Sequence, residues 1–110
     1  MSGESMDVEN VIVVAKDKRV LLKVKKCSNP HKVADAIAKH YMEDRDVEIQ
    51  AIAAGAINQA VKSVAIARGK LAQQGRDIAI IPGFRDVADS TIEGKTISAI
   101  NFSVIERGSR

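Results

Sequence analysis

The sequence has few of the residues that most often support disulfide bonding, metal binding and membrane insertion. Its 110 residues include one cysteine, two histidines and no tryptophan. Cys27 alone cannot form an internal disulfide, so we expect a reducing, cytoplasmic setting. No apolar run reaches the roughly 18 residues of a membrane span, and the polar start does not resemble a signal peptide.

Aromatic side chains are also scarce, because one tyrosine and two phenylalanines are all that the chain holds. Its core must therefore be built from Val, Ile, Leu and Ala. A chain of this length can bury roughly two-thirds of its unfolded surface, which is enough for the core of one domain.

Apolar spacing predicts an alternation of strands and helices. Residues 20–25 and 47–53 alternate as half-buried strands, 78–82 reads as a short buried strand that ends at Pro82, and 96–106 is the last strand. A helix follows Asn29, which can cap it, and Pro30, which fits its first position. A second helix is expected over 56–71, after Gly55 breaks the preceding strand.

This order predicts an α/β two-layer sandwich, βαβαββ, with a four-stranded mixed sheet and two helices on one face. Residues 19–107 are expected to form this domain. Residues 1–18 would be an N-terminal extension, polar and frayed over its first ten residues, with a possible extra edge strand at Val11–Val14. Residues 108–110 would be a tail.

The second predicted helix is alanine-rich and apolar over most of its circumference. Its main stripe consists of Ile57, Ala60, Val61, Val64, Ala67 and Leu71. Such a helix is usually buried on two sides. In a domain this small, we expect the sheet on one side and a second copy of the chain on the other, which makes a homodimer.

A basic run extends from Lys16 to Lys32 and holds seven of the chain's 17 positive groups. Lys23 and Lys25 share the strand face assigned to solvent, and Lys26, Asn29 and Lys32 flank the start of the first helix. This pattern is typical of contact with a nucleic-acid backbone. It is equally typical of an edge strand that lysines keep from aggregating.

The junction AAGAINQ at residues 53–59 is a second candidate site. A strand that turns through Gly55 into a helix presents free N–H groups that attract phosphate. Asn58 and Gln59 could add donors. The alternative is that Gly55 only fits the turn.

No set of residues predicts catalysis, a metal or a cofactor. Cys27 lies near His31 just before a helix, but no third partner accompanies them. His31 and His40 are too far apart for a metal set. We therefore expect a non-enzymatic protein.

Three stretches carry a specific likeness: EIQAIAAGAINQAVKSVAIARG, DIAIIPGF and SAINFSVIER. From Arg19 to Arg107 the chain closely resembles the stage V sporulation protein S family of bacteria. The resemblance implies membership of the wider Alba superfamily of small dimeric nucleic-acid-binding proteins. It also implies a role in regulating sporulation or envelope development.

One departure concerns the loop from Gly83 to Gly94, which corresponds to the basic arm of DNA-binding Alba proteins. It holds Asp86, Asp89 and Glu93 against Arg85, its one candidate nucleic-acid contact, and acidic groups repel phosphate. DNA or RNA binding would then be weak and salt-sensitive, and would depend more on the lysines above and on Lys62 and Arg68. The alternative is a protein-interaction module that docks through Phe84, Val87 and Ile92.

Overall fold

The computed structural model describes residues 4–8 and 11–108. Residues 1–3, 9, 10, 109 and 110 of the predicted extension and tail lie outside the described residues. The elements in chain order are β1 (Glu4–Val8), β2 (Val11–Lys16), β3 (Arg19–Val24), α1 (Pro30–Met42), β4 (Asp46–Ala51), α2 (Ala53–Ala72), β5 (Ile78–Ala88) and β6 (Thr96–Glu106).

The strands form one mixed sheet in the order β1-β2-β3-β4-β6-β5. Only β3 and β4 are parallel, and the other neighbours are antiparallel. The predicted order βαβαββ is confirmed from β3 to β6. The prediction of four strands was wrong, because residues 4–16 form a hairpin that adds β1 and β2 beside β3. Val11–Val14 therefore belongs to an inner strand, and residues 4–8 are a strand rather than a frayed end.

Both helices pack against each other and against β3 and β4. Alternation along β3 buries Val20, Leu22 and Val24 toward the helices, while Lys23 is exposed on the opposite face. That opposite face carries no helix among the described residues. The prediction of two layers is confirmed.

The core consists almost wholly of aliphatic side chains, as the scarcity of aromatics requires. Tyr41 and Phe102 are its only buried rings in the described part of the chain. The buried stripe of α2 differs from the predicted one: Ala56 and Ser63 belong to it, whereas Val61 is 45% exposed. Small side chains on this stripe let α2 approach α1 and the sheet closely.

The predicted start of α1 is confirmed, since Asn29 accepts a hydrogen bond from the His31 N–H at 2.8 Å and Pro30 is the first helical residue. The predicted start of α2 was wrong. The chain turns at Ala53, whose φ of 72° is left-handed, and Gly55 already lies in the first helical turn.

The predicted end of the third strand at Pro82 was also wrong, because β5 continues to Ala88. Proline is tolerated in an edge strand such as β5, which has a neighbour on one side only. From Arg85 onward, the β6 residues that pair with β5 no longer pair with β4. The two strands form a hairpin arm, and Phe84 on it is 85% exposed.

Candidate nucleic-acid interface

The N-termini of both helices meet at one edge of the sheet. Parallel strands end at the same edge, so α1, which follows β3, and α2, which follows β4, both begin there. Helix N-termini present unpaired N–H groups and partial positive charge. This edge therefore favours anions before any side chain is considered.

The segment between β3 and α1, residues 25–29, is held in a fixed turn. The Ser28 N–H donates to the Lys25 carbonyl at 3.0 Å, and the Lys25 N–H donates to Ser28 Oγ at 2.8 Å. The Gln59 side-chain amide of α2 donates to the Ser28 carbonyl at 2.8 Å. Gln59 thus anchors the turn to α2, which is a different role from the phosphate donor that the sequence suggested.

Gly55 lies directly against this turn. A Cβ built on Gly55 would stand 3.0 Å from the Lys26 Cβ, closer than ordinary van der Waals contact. Glycine accommodates this close approach, and its backbone is helical rather than turned. The α2 N-terminus also has no side-chain cap, since Ile52 precedes it.

Six of the predicted residues gather at this edge of the sheet, which we call the helix edge: Lys25, Lys26, Asn29, Lys32, Gly55 and Asn58. They lie in the fixed turn or in the first turns of the two helices, and each is exposed. Among residues 11–108, neither Lys25 nor Lys26 forms an ion pair. Their charge is therefore not cancelled by a nearby carboxylate of the described chain.

Lys23 and Lys62 lie nearby but point elsewhere. Lys23 is one residue before the end of β3 and faces the helix-free side of the sheet. Lys62 is exposed on α2, seven residues after Gly55, which is about 10 Å along the helix axis. Both border the edge without sharing its turn.

Arg68 and Arg85 are not at this edge. Arg68 lies 13 residues after Gly55, about 20 Å along α2, and its guanidinium binds Asp77 at 2.8 and 3.0 Å. Arg85 is on the arm, 3.8 Å from a carboxylate oxygen of Glu48. The sequence could not show these partners, because each comes from a different element.

Two other arginines near Asp77, Arg76 and Arg107, also form hydrogen-bonded ion pairs with carboxylates. Arg107 donates to Asp77 at 2.9 Å, and the two arginines hold the pKa of Asp77 well below its ordinary range. Glu106 accepts hydrogen bonds from Tyr41 and, at 2.9 Å, from Arg76, and both lower its pKa. Cations in this part of the surface are internally neutralised, in contrast to Lys25 and Lys26.

A mostly apolar groove separates α2 from β5. Val61, Ala65 and Ile80 line it, and Arg68 and Arg107 close one end. Val61 is 45% exposed. β5 is also an edge strand, so this side of the chain leaves both apolar side chains and backbone groups uncovered.

No group of three His, Cys, Asp or Glu in 4–8 and 11–108 could hold a metal ion. Cys27 is exposed beside the fixed turn. Neither α1 nor α2 is long and apolar enough to cross a membrane.

One comparison bears on this arrangement. A family model described as stage V sporulation protein S matches residues 20–107, which is well over half of the chain. The match includes every residue gathered at the helix edge and begins after the β1–β2 hairpin.

Proposed function

Because the chain belongs to the stage V sporulation protein S family, we propose that it is a non-enzymatic regulator that binds DNA or RNA through the helix edge. Family membership supports a sporulation-related role. The order βαβαββ and the paired helix N-termini support the further relation to Alba-like nucleic-acid-binding proteins.

The observation that carries this proposal is the convergence of Lys25 and Lys26 on two helix N-termini. These two lysines are exposed, lie in the fixed turn and form no ion pair among residues 11–108. Backbone N–H groups and lysines together contact phosphate without reading bases. Binding is therefore expected to be weakly dependent on sequence and strongly dependent on salt.

The test is fluorescence anisotropy with labelled duplex DNA, single-stranded DNA and RNA of equal length. We expect the charge reversal Lys26→Glu to weaken binding to every sequence alike. The matched control is Lys39→Glu, which makes the same charge change in the last turn of α1, at the opposite end of that helix. Equal losses in both variants would reduce the effect to net charge and reject the helix edge as the site.

We further propose that a second copy covers the groove between α2 and β5. A partner there would bury Val61, which the single chain leaves 45% exposed, and would give α2 the second covered side that its composition predicts. Light scattering is expected to show a dimer that Val61→Asp converts to monomer. A monomeric native chain at high concentration would contradict this part of the proposal.

A second candidate function rests on the arm. Phe84 is 85% exposed and Ile92 is 48% exposed, and the acidic residues around them disfavour nucleic acid. This combination suits a docking point for another protein. Loss of one defined partner from nuclease-treated extract on Phe84→Ser, with nucleic-acid affinity unchanged, would favour it.

A further inference from the structure

The helix-free face of the sheet contains a cavity of about 530 Å³, within the size range of small-molecule sites. It lies across β2, β3, β4 and β6. Its lining includes Lys16, Arg19, Leu21, Gln50, Asn101 and Arg85. Among the described residues, this is a second surface, separate from the helix edge.

Two amide side chains form the floor of this cavity. Gln50 and Asn101 are directly opposite in the β4–β6 ladder, and Gln50 Nε2 donates to Asn101 Oδ1 at 3.0 Å. They are only 8% and 6% exposed. This bond leaves the Asn101 NH₂ and the Gln50 carbonyl without a further partner in the described chain, and both atoms keep some contact with solvent. The floor thus offers a donor beside an acceptor.

Arg85 explains why these amides are buried on a face without helices. It lies opposite Ala99, and Glu48 lies opposite Ser103, so the Arg85 side chain passes over the Asn101 row to reach Glu48. Gly83, opposite Asn101, leaves that row open. At 3.8 Å between an exposed arginine and a half-buried glutamate, the Arg85–Glu48 pair is weak.

The far end of the cavity is cationic. Lys16 and Arg19 lie opposite each other and form no ion pair among residues 11–108, although Asp46 lies directly opposite Arg19 and also lines the cavity. Arg19 and Asp46 stand four residues before the Gln50 level, roughly 13 Å along the strands. Half-buried Leu21 lies between the two ends.

We propose that this cavity binds a nucleotide. The donor–acceptor edge of the base forms hydrogen bonds with Asn101 and Gln50, and the phosphate contacts Lys16 and Arg19. The sugar between them lies over Leu21, in the apolar middle of the cavity. A simple anion would use only the cationic end, and a peptide group would use only the amides. The ligand is either a free nucleotide or an unpaired base of a single strand, since both present this chemistry.

The test is a ¹⁵N NMR titration of the full chain with each nucleoside monophosphate, and with the nucleoside and inorganic phosphate as separate probes. We expect the Asn101 and Gln50 side-chain amide signals to shift saturably with at least one monophosphate, and with the nucleoside more weakly. Phosphate alone should leave them in place. Amide signals that do not move with any monophosphate at millimolar concentration would overturn the proposal, and this readout requires no variant.

Asn101→Asp replaces the donor by an acceptor of the same shape. We expect it to reduce monophosphate affinity about tenfold, the loss typical of a hydrogen bond exchanged for repulsion. The matched control is Gln74→Glu, the same amide-to-carboxylate change at an exposed position after α2, which should leave monophosphate affinity unchanged. Equal affinities for Asn101→Asp and wild type would overturn the assignment.

Two further arms separate this site from the helix edge and identify the ligand source. Lys26→Glu should leave monophosphate binding unchanged while it weakens duplex binding, so each proposal can fail alone. A single-stranded oligonucleotide that competes with the monophosphate, when a duplex does not, identifies an unpaired base as the ligand. Competition by neither identifies a free nucleotide.

Discussion

Replacing Gly55 by alanine tests how tightly the fixed turn packs against α2. In a helix interior, Gly→Ala normally stabilises by roughly 1 kcal/mol, because alanine loses less backbone entropy on folding. At Gly55 the added Cβ would stand 3.0 Å from the Lys26 Cβ. Carbon atoms prefer roughly 3.5–4.0 Å, so one side must move by a few tenths of an ångström.

The turn cannot move freely. Lys25 and Ser28 exchange two hydrogen bonds at 3.0 and 2.8 Å, and Gln59 ties Ser28 to α2 at 2.8 Å. Overpacking at such a site typically costs about 1–3 kcal/mol. Set against the roughly 1 kcal/mol propensity gain, Gly55→Ala should be neutral or destabilising by up to about 2 kcal/mol.

Gly69→Ala is the matched control in the same helix, because a Cβ there meets nothing within 4 Å. It should stabilise by about 1 kcal/mol and raise the Tm by about 4 °C. Urea unfolding of both variants and wild type gives the comparison. A Gly55→Ala protein as stable as Gly69→Ala would refute the close packing of Lys26 against α2.

Three further predictions concern stability and titration. Asp77→Asn should lower the free energy of unfolding at pH 7 and flatten its dependence on acid pH. The lowered pKa of Asp77 gives stability that is present above about pH 4 and lost as pH falls through the folded-state pKa. Urea unfolding at pH 7 and pH 3 measures both effects, and an unchanged acid dependence would count against the arginine contacts. Leu22→Ala should cost about 2–5 kcal/mol in urea unfolding, since Leu22 is fully buried, and a loss typical of a surface site would contradict the core assignment. An NMR titration should place the pKa of His40 below 6.5, because burial and then Arg45 and Lys39 disfavour its charged form. The stability that this group contributes is then lost as pH falls from 6.5 through the folded-state pKa. A measured pKa above 6.5 would contradict the predicted direction of the shift.

Local patterns predicted the elements whose structure depends on neighbours in sequence. The alternation at 20–24, the Asn29 cap with Pro30, and the last strand at 96–106 all appear in the structure. In each case, side-chain period or cap chemistry and tertiary packing favour the same conformation. The family resemblance is confirmed over residues 20–107.

The errors arose where a tertiary contact decides the outcome. Glycine can mean a turn or a close approach, and Gly55 is the second because Lys26 lies against it. Pro82 suggests a strand end only until β5 is known to be an edge. Arg68 appears available in sequence, yet Asp77 from the loop after α2 binds it.

The site itself could be predicted in part. Lys25, Lys26 and Asn29 are neighbours in sequence, so their clustering was visible, and Asn58 follows Gly55 closely. That both groups meet at one edge depends on the parallel pairing of β3 and β4. The amide pair of Gln50 and Asn101 has no local signal, because 51 residues separate its members.

The most direct test of nucleic-acid binding at the helix edge is the slope of log Kd against log salt concentration for duplex DNA. If lysines there neutralise phosphates, affinity falls steadily as salt rises, and Lys26→Glu should reduce the slope by about 1. Lys39→Glu should leave the slope as in wild type. An affinity independent of salt, or a slope that Lys26→Glu does not change, would contradict phosphate recognition at this edge.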